Sequence, residues 1–218
     1  MPSFVPELSR LLPFLVAALL LNLTPGADMM YVVTRSVGQG RLAGICSAFG
    51  ISAGSLVHTV FAAVGLSALL MQSATAFQVV KYGGAAYLLY LAWKIWRSAD
   101  SGAQVAQRRP ASLAKIIAEG VVTNVLNPKV ALFVIAFLPQ FVDPESGAVA
   151  GQILFLGCMF NLGGTIINVA VALLFGWVRR LIVRESQSPG RLARTIQRTS
   201  AAVLAAMGIF FATGLKLR

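Results

Sequence analysis

Two ionisable side chains sit in apolar stretches where a charge is costly. Asp28 follows the run Asn22-Leu23-Thr24-Pro25-Gly26-Ala27, and Lys129 follows Asn124-Val125-Leu126-Asn127-Pro128. A charge inside a membrane-length hydrophobic segment faces a bundle interior or an aqueous cavity. The prolines carry the same message, because hydrocarbon has no water for the backbone groups that a broken helix frees. An acid and a base brought to one cavity suit a zwitterion, with Asp28 taking an ammonium and Lys129 a carboxylate. Asn22, Asn124 and Asn127 add neutral hydrogen-bonding groups, while Pro25, Gly26 and Pro128 make the breaks. A matched pair of interruptions in two halves of a chain points to a carrier's binding site. The bland alternative is a permanent structural bridge between Asp28 and Lys129.

Other groups are weighed beside this pair. Asn161, Thr165 and Asn168 recur at helical spacing and mark one polar face, with Asn161 the leading substrate contact; cavity lining and hydrogen bonding across helices both remain open. Proton coupling needs a group whose proton affinity changes between outward and inward states. Asp28 is the first candidate and Glu119, one turn before Thr123, the second, although Glu119 also suits the interface near Lys115. His58, beside Ser55 and Thr59, reads as a packing residue. Cys46 and Cys158 lack a CxxC spacing, and with a single histidine the chain offers no metal site and implies no cofactor. Asn22-Leu23-Thr24 precedes Pro25 inside an apolar segment and is no glycosylation site. Gly38-Gln39-Gly40-Arg41 lacks the βαβ setting of a nucleotide loop.

These residues need long helices to position them. Of 218 residues, 57% are hydrophobic and 11% charged, and a span takes about 20 apolar residues. Six segments qualify: 8–34 (broken), 42–71, 77–96, 113–142 (broken), 147–178 and 199–215. The fold class is an all-α polytopic membrane protein with six transmembrane helices. The order broken, long, short occurs twice. Three spans per half make the second half enter from the opposite side, giving two inverted three-helix repeats with broken first and fourth helices. Residues 1–97 form the first repeat, 98–112 a polar, mobile cytoplasmic linker, and 113–218 the second repeat, all within one transmembrane domain. Small residues at four-residue spacing, including Gly50 and Gly54, allow close helix packing or a sliding or dimerising face. A homodimer is therefore a possible assembly.

The net charge of +11 would suggest nucleic acid in a soluble protein. Its distribution argues for membrane lipid instead. Arg35 and Arg41 lie between the first two spans; Lys94, Arg97, Arg108, Arg109 and Lys115 flank the third loop; Arg179 to Arg198 fill the fifth. The alternate loops hold little beyond Lys81, Asp143 and Glu145. The positive-inside rule then places loops one, three and five in the cytoplasm and both termini in the periplasm. Leu11 to Leu21 has the length of a signal-peptide core but lacks its basic flank, so it reads as a retained span. Trp93 and Trp96 suit an interfacial belt.

Taken in order, several motifs resemble the LysE/RhtB superfamily of bacterial amino-acid exporters. They are Asn22-Leu23-Thr24-Pro25-Gly26-Ala27-Asp28 with Gly38-Gln39-Gly40-Arg41, then Lys81-Tyr82-Gly83-Gly84-Ala85-Ala86-Tyr87-Leu88 and Trp93. Gly120-Val121-Val122-Thr123-Asn124-Val125-Leu126-Asn127-Pro128-Lys129 and Phe137-Leu138-Pro139-Gln140-Phe141 complete the set. Ala27 stands where the family's first break carries a second proline. The resemblance implies six spans in the bacterial inner membrane and export of small amino acids coupled to the proton gradient, by a protein that is not an enzyme. Neutral substrates of the homoserine, threonine or leucine type fit best, since no acidic cluster awaits a dication. Two other functions compete with this reading: a transmembrane thiol–disulfide electron carrier, for which Cys46 and Cys158 are not at matching repeat positions, and a metal-ion exporter, for which soft or acidic ligands are lacking.

Overall fold

The computed structural model describes residues 4–72, 74–98, 110–146 and 148–177, together with positions 198, 202, 205, 206 and 209. Every regular element among them is helical. Most of the expected sixth span at 199–215, the basic loop from Arg184 to Gln197 and most of the linker, residues 99–109, lie outside the described residues.

The first broken segment consists of α1 (Leu8–Leu23) and α2 (Ala27–Gln39), which meet at 47°. Pro25 causes the break. It cannot donate a backbone hydrogen bond, and it pushes the preceding residue out of helical conformation; Thr24 is accordingly extended, at φ −71° and ψ 114°. The second broken segment joins α5 (Leu113–Val125) to a stretch beginning with α6 (Pro128–Leu132), at 50°. Here the proline occupies the first helical turn, where its missing N–H costs nothing. The long helices α3 (Arg41–Gln72) and α7 (Val149–Trp177) follow the two breaks, and α4 (Ala74–Ser98) covers the expected third span. Among the described residues two helices are long and apolar enough to cross a membrane, or up to four spans if each bent pair counts as one.

Beyond α6 the chain departs from a regular α-helix. Phe133–Phe137 form a π-helical turn and Leu138–Phe141 a 3-10 turn. Pro139 explains the change. It offers no N–H to the Ile135 carbonyl, and its ring would crowd that group in a regular α-helix. The widened turn also directs Phe133 and Phe137 inward. Phe133 stacks on Phe160 of α7 with ring centroids 4.5 Å apart, and Phe137 lies 4.8 Å from Phe141. With Phe14, Leu21, Ile153 and Leu156 they form one apolar core. A second core gathers Tyr31, Val32, Ile51, Ile116 and Ala172.

Hydrogen bonds at the two ends fix the relative direction of the broken segments. Arg10, near the start of α1, donates to the Val142 carbonyl at 3.0 Å and lies 3.7 Å from the Asp143 carboxylate, beyond the end of the second segment. At the opposite end Gln39, the last residue of α2, exchanges hydrogen bonds of 2.9 and 3.2 Å with the Ala111 backbone, just before α5. The two broken segments therefore run antiparallel. The same bonds anchor the C-terminal edge of the expected mobile linker.

Glycine spends its small volume on backbone contact. A Cβ at Gly54 would lie 2.8 Å from both the Val121 carbonyl and Asn124 Cβ, and Gly50 abuts Ile117 and Gly120. α3 and α5 thus touch through their main chains, and the Gly50–Gly54 face is used inside the protomer rather than for dimerisation. Much of the outer surface is apolar: Leu12, Leu19, Phe61, Val64, Leu126, Ile166 and Trp177 are all exposed. Lipid, rather than water, suits such a surface. Trp93 and Trp96 are also exposed, each beneath an arginine (Arg97 at 5.1 Å and Arg198 at 5.6 Å).

Candidate functional site

Each break leaves unpaired main-chain groups; the partner segment satisfies those of the first, and local capping with a contact from α3 those of the second. At the first break the last carbonyls of α1 lack helical partners. Lys129 supplies one: its Nζ donates to the Thr24 carbonyl at 2.8 Å and the Leu21 carbonyl at 3.3 Å. A cation at a helix C-terminus is also favoured by the peptide dipoles. Its side chain passes directly over Gly26, where a Cβ would lie 3.3 Å from Nζ and 3.4 Å from Cε. At the second break Asn127 caps α6, its Oδ1 accepting from the Lys129 N–H at 3.1 Å. The Asn124 carbonyl, near the end of α5, accepts from the Asn127 N–H at 2.9 Å and lies 3.1 Å from His58 Nε2.

Asp28 occupies the first turn of α2, where the positive end of the helix favours an anion. Its Oδ2 accepts from Asn124 Nδ2 at 2.9 Å. Asp28 and Lys129 are both buried, at 7% and 8% exposure, and Lys129 acts on Asp28 through the Coulomb field. They are not in direct ionic contact; the ion pairs among the described residues are Arg10–Asp143 and Arg35–Glu119. The expected Asp28–Lys129 contact is replaced by two separate anchorages, the lysine on carbonyls and the aspartate on an amide.

A cavity of about 30 Å³ lies at the junction, lined by Asn22, Asp28, Ser55, Asn124, Asn161 and Asn168 among others. Ile51 from one apolar core and Val130 and Phe160 from the other complete its wall. That space suits a water-sized group and is too small for a whole amino acid. The polar stripe of α7 enters it, since Asn161, Thr165 and Asn168 all line the wall. Asn22 donates to the Phe160 carbonyl at 3.1 Å, and Gly164 makes room for its amide. Of the substrate-contact candidates, Asp28, Asn22, Asn124 and Asn161 therefore line the cavity, whereas Lys129 and Asn127 do not; Asn127 caps α6 through its oxygen and turns its amide nitrogen toward Asp28.

Glu119 stands apart from this cavity. Its Oε2 lies 2.5 Å from Arg35 Nη2 and 3.2 Å from the Tyr31 hydroxyl, which is also 2.9 Å from the Ile116 carbonyl. Arg35 reaches Gln39 at 2.7 Å as well. The sequence placed Arg35 in a loop, but nothing stops α2 before Gly40, whose φ of 93° suits glycine, so Arg35 is a buried helix residue. Asp28, Tyr31 and Arg35 share one face of α2, so the ion pair closes the α2–α5 contact on one side of the cavity. Cys46 is half-buried and Cys158 exposed, both as free thiols.

Sequence reasoning undervalued Ser55. The available signal was the buried polar row Ser47, Ser55 and Thr59 on α3, at multiples of a helical turn. Ser47 and Thr59 bond back to carbonyls four residues earlier, but Ser55 Oγ does not.

Comparison with known proteins adds to this geometry. The LysE type translocator family matches residues 19–215. A homoserine/homoserine lactone efflux protein of Salmonella typhimurium is 33% identical over 144 residues, spanning 66% of this chain and 69% of that protein. A leucine efflux protein of Salmonella choleraesuis is 32% identical over 138 residues, spanning 62% and 65% respectively. An uncharacterized membrane protein of Bacillus subtilis is 31% identical over 161 residues, spanning 70% and 76%. No solved structure matches.

Proposed function

This chain belongs to the LysE type translocator family, and on that premise we propose that it carries small amino acids or close derivatives out of a bacterial cell. Membership places it among transporters rather than enzymes. The observation that supports the cavity as the substrate site is the convergence of both broken segments and the α7 polar stripe on one buried space containing Asp28. Substrates of the homoserine or leucine kind follow from the names of the relatives. The cavity is too small for a whole amino acid, so loading requires the segments to part. Parting α2 from α5 opens the Arg35–Glu119 side, as alternating access between inverted repeats requires.

Six spans in two inverted repeats, an inner-membrane location and periplasmic termini complete the reading. The antiparallel broken segments and the basic odd-numbered loops support it. Proton antiport supplies the energy, with Asp28 as the coupling group and Glu119 as a secondary one at the α2–α5 closure. Counterflow in proteoliposomes with labelled homoserine, threonine and leucine, at two pH values, tests both parts. Accumulation of one of them, with a pH-dependent rate, is expected. No accumulation of any amino acid in a broad panel would overturn the transport reading; a rate independent of pH would overturn the coupling.

A further inference from the structure

Three buried oxygens on the cavity-lining residues lack a partner within hydrogen-bond geometry: Asp28 Oδ1, Asn124 Oδ1 and Ser55 Oγ; outside the lining, the Asn127 amide nitrogen beside Asp28 is an unpaired donor. The residues carrying the three oxygens are 7%, 1% and 4% exposed. Buried polar atoms are nearly always paired, so such a group points to a ligand. The orientation of the Asn124 amide follows from chemistry. Its nitrogen must face the Asp28 carboxylate, which it meets at 2.9 Å, and so its oxygen is the free atom. All three atoms are hydrogen-bond acceptors, and one belongs to an anion. We propose that they form a seat for the primary ammonium group of the substrate, and that the site makes no matching charged contact with a carboxylate.

The number and kind of acceptors favour an ammonium over a metal. A primary ammonium presents three N–H donors and no acceptor, one for each oxygen. Hard metal cations take six or more oxygens. The cavity of about 30 Å³ matches a group the size of water, so it holds the headgroup while the rest of the substrate needs the segments to part. On the carboxylate side, Lys129 was the sequence-based candidate. It is absent from the cavity wall, and its ammonium already donates to the Leu21 and Thr24 carbonyls. Releasing it would strip the C-terminal end of α1 of its cap. The substrate class is therefore primary ammonium compounds with a small apolar or neutral tail, with or without a carboxylate.

This inference rests on the cavity being the substrate site, and two probes separate it from that reading. Isoamylamine is leucine without its carboxylate, and 4-methylpentanoate is leucine without its amino group. Each competes against labelled leucine counterflow without an imposed gradient, and each is added to the purified chain in a thermal-shift measurement, in sodium and in choline chloride. The amine is expected to inhibit within about tenfold of unlabelled leucine, and the acid at least about a hundredfold more weakly. Ser55→Ala, which removes one acceptor, raises the inhibitory concentrations of leucine and amine alike by about tenfold while its melting temperature stays near wild type. Inhibition by the acid but not the amine overturns the seat, as does an unchanged Ser55→Ala, or stabilisation by sodium alone. If leucine counterflow is absent, the thermal shift decides: stabilisation by the amine alone keeps the seat while the leucine-carrier reading fails, and no stabilisation removes both.

Discussion

Replacing Lys129 by methionine probes how the two breaks are held together. Methionine keeps much of the aliphatic stem over Gly26 but loses the Nζ that meets the Thr24 and Leu21 carbonyls at 2.8 and 3.3 Å. The Leu21 carbonyl keeps its 3.1 Å bond from the Thr24 N–H, so the net loss falls on Thr24, at about 1–3 kcal/mol for a buried acceptor left unpaired. Asp28 also loses its nearby countercharge; removing one member of a buried charge pair costs about 3–5 kcal/mol, and since these two groups are not in contact the low end, about 3 kcal/mol, applies. The combined cost is on the order of 4–6 kcal/mol, which for a chain of this size corresponds to a fall in melting temperature of roughly 10–20 °C. The diagnostic experiment is the double variant. Adding Asp28→Asn removes the stranded negative charge, so the double variant should recover about 1–3 kcal/mol relative to the sum of the single losses. Thermal unfolding of all four proteins in one detergent gives the cycle. Strict additivity would refute the electrostatic link between the breaks, and a near-wild-type Lys129→Met would refute the bracing role altogether.

Other expected outcomes are more local. Gly54→Ala forces a Cβ to within 2.8 Å of the Val121 carbonyl, and overpacking of this kind costs about 1–3 kcal/mol, read as a lower melting temperature. Gly164→Ala should cost less, because the Cβ meets the end of the flexible Asn22 side chain, at 2.9 Å from its Oδ1. Phe133→Ala removes the 4.5 Å stack on Phe160 and should destabilise by about 3–5 kcal/mol; a loss below about 1 kcal/mol would contradict the packing of the π-helical turn. A protein carrying Cys46→Ser and Cys158→Ser should retain full counterflow, and its loss would revive a thiol–disulfide activity.

Much of this arrangement was legible in the sequence because prolines and charges in apolar segments carry unambiguous costs. Pro25 and Pro128 marked both breaks, and α3, α4 and α7 begin and end within a few residues of the expected spans. The stripe on α7 pointed inward as its spacing implied. Partner choice was less legible. Lys129 could satisfy either a carboxylate or the carbonyls of a broken helix, and only the approach of its side chain over Gly26 selects the carbonyls. Arg35 looked like a loop residue because a lone arginine past a span fits the positive-inside pattern. Its burial depends on Glu119, which lies 84 residues away in sequence. The π-helical turn had a visible cause in Pro139, but proline specifies that a helix is disturbed, not how it adapts. Ser55 was hidden among small residues that pack equally well.

Equilibrium binding of labelled leucine and homoserine to the purified wild-type chain and to Asp28→Asn addresses the site most directly. The substitution keeps an oxygen to accept the Asn124 amide at its 2.9 Å position and removes only the charge, so folding survives and can be verified by melting temperature. Wild type should bind at least one of the two amino acids, with affinity at least about tenfold weaker in Asp28→Asn, since a charge-assisted contact becomes a neutral one. Equal binding by the two proteins would mean that substrate is recognised somewhere other than between the broken helices.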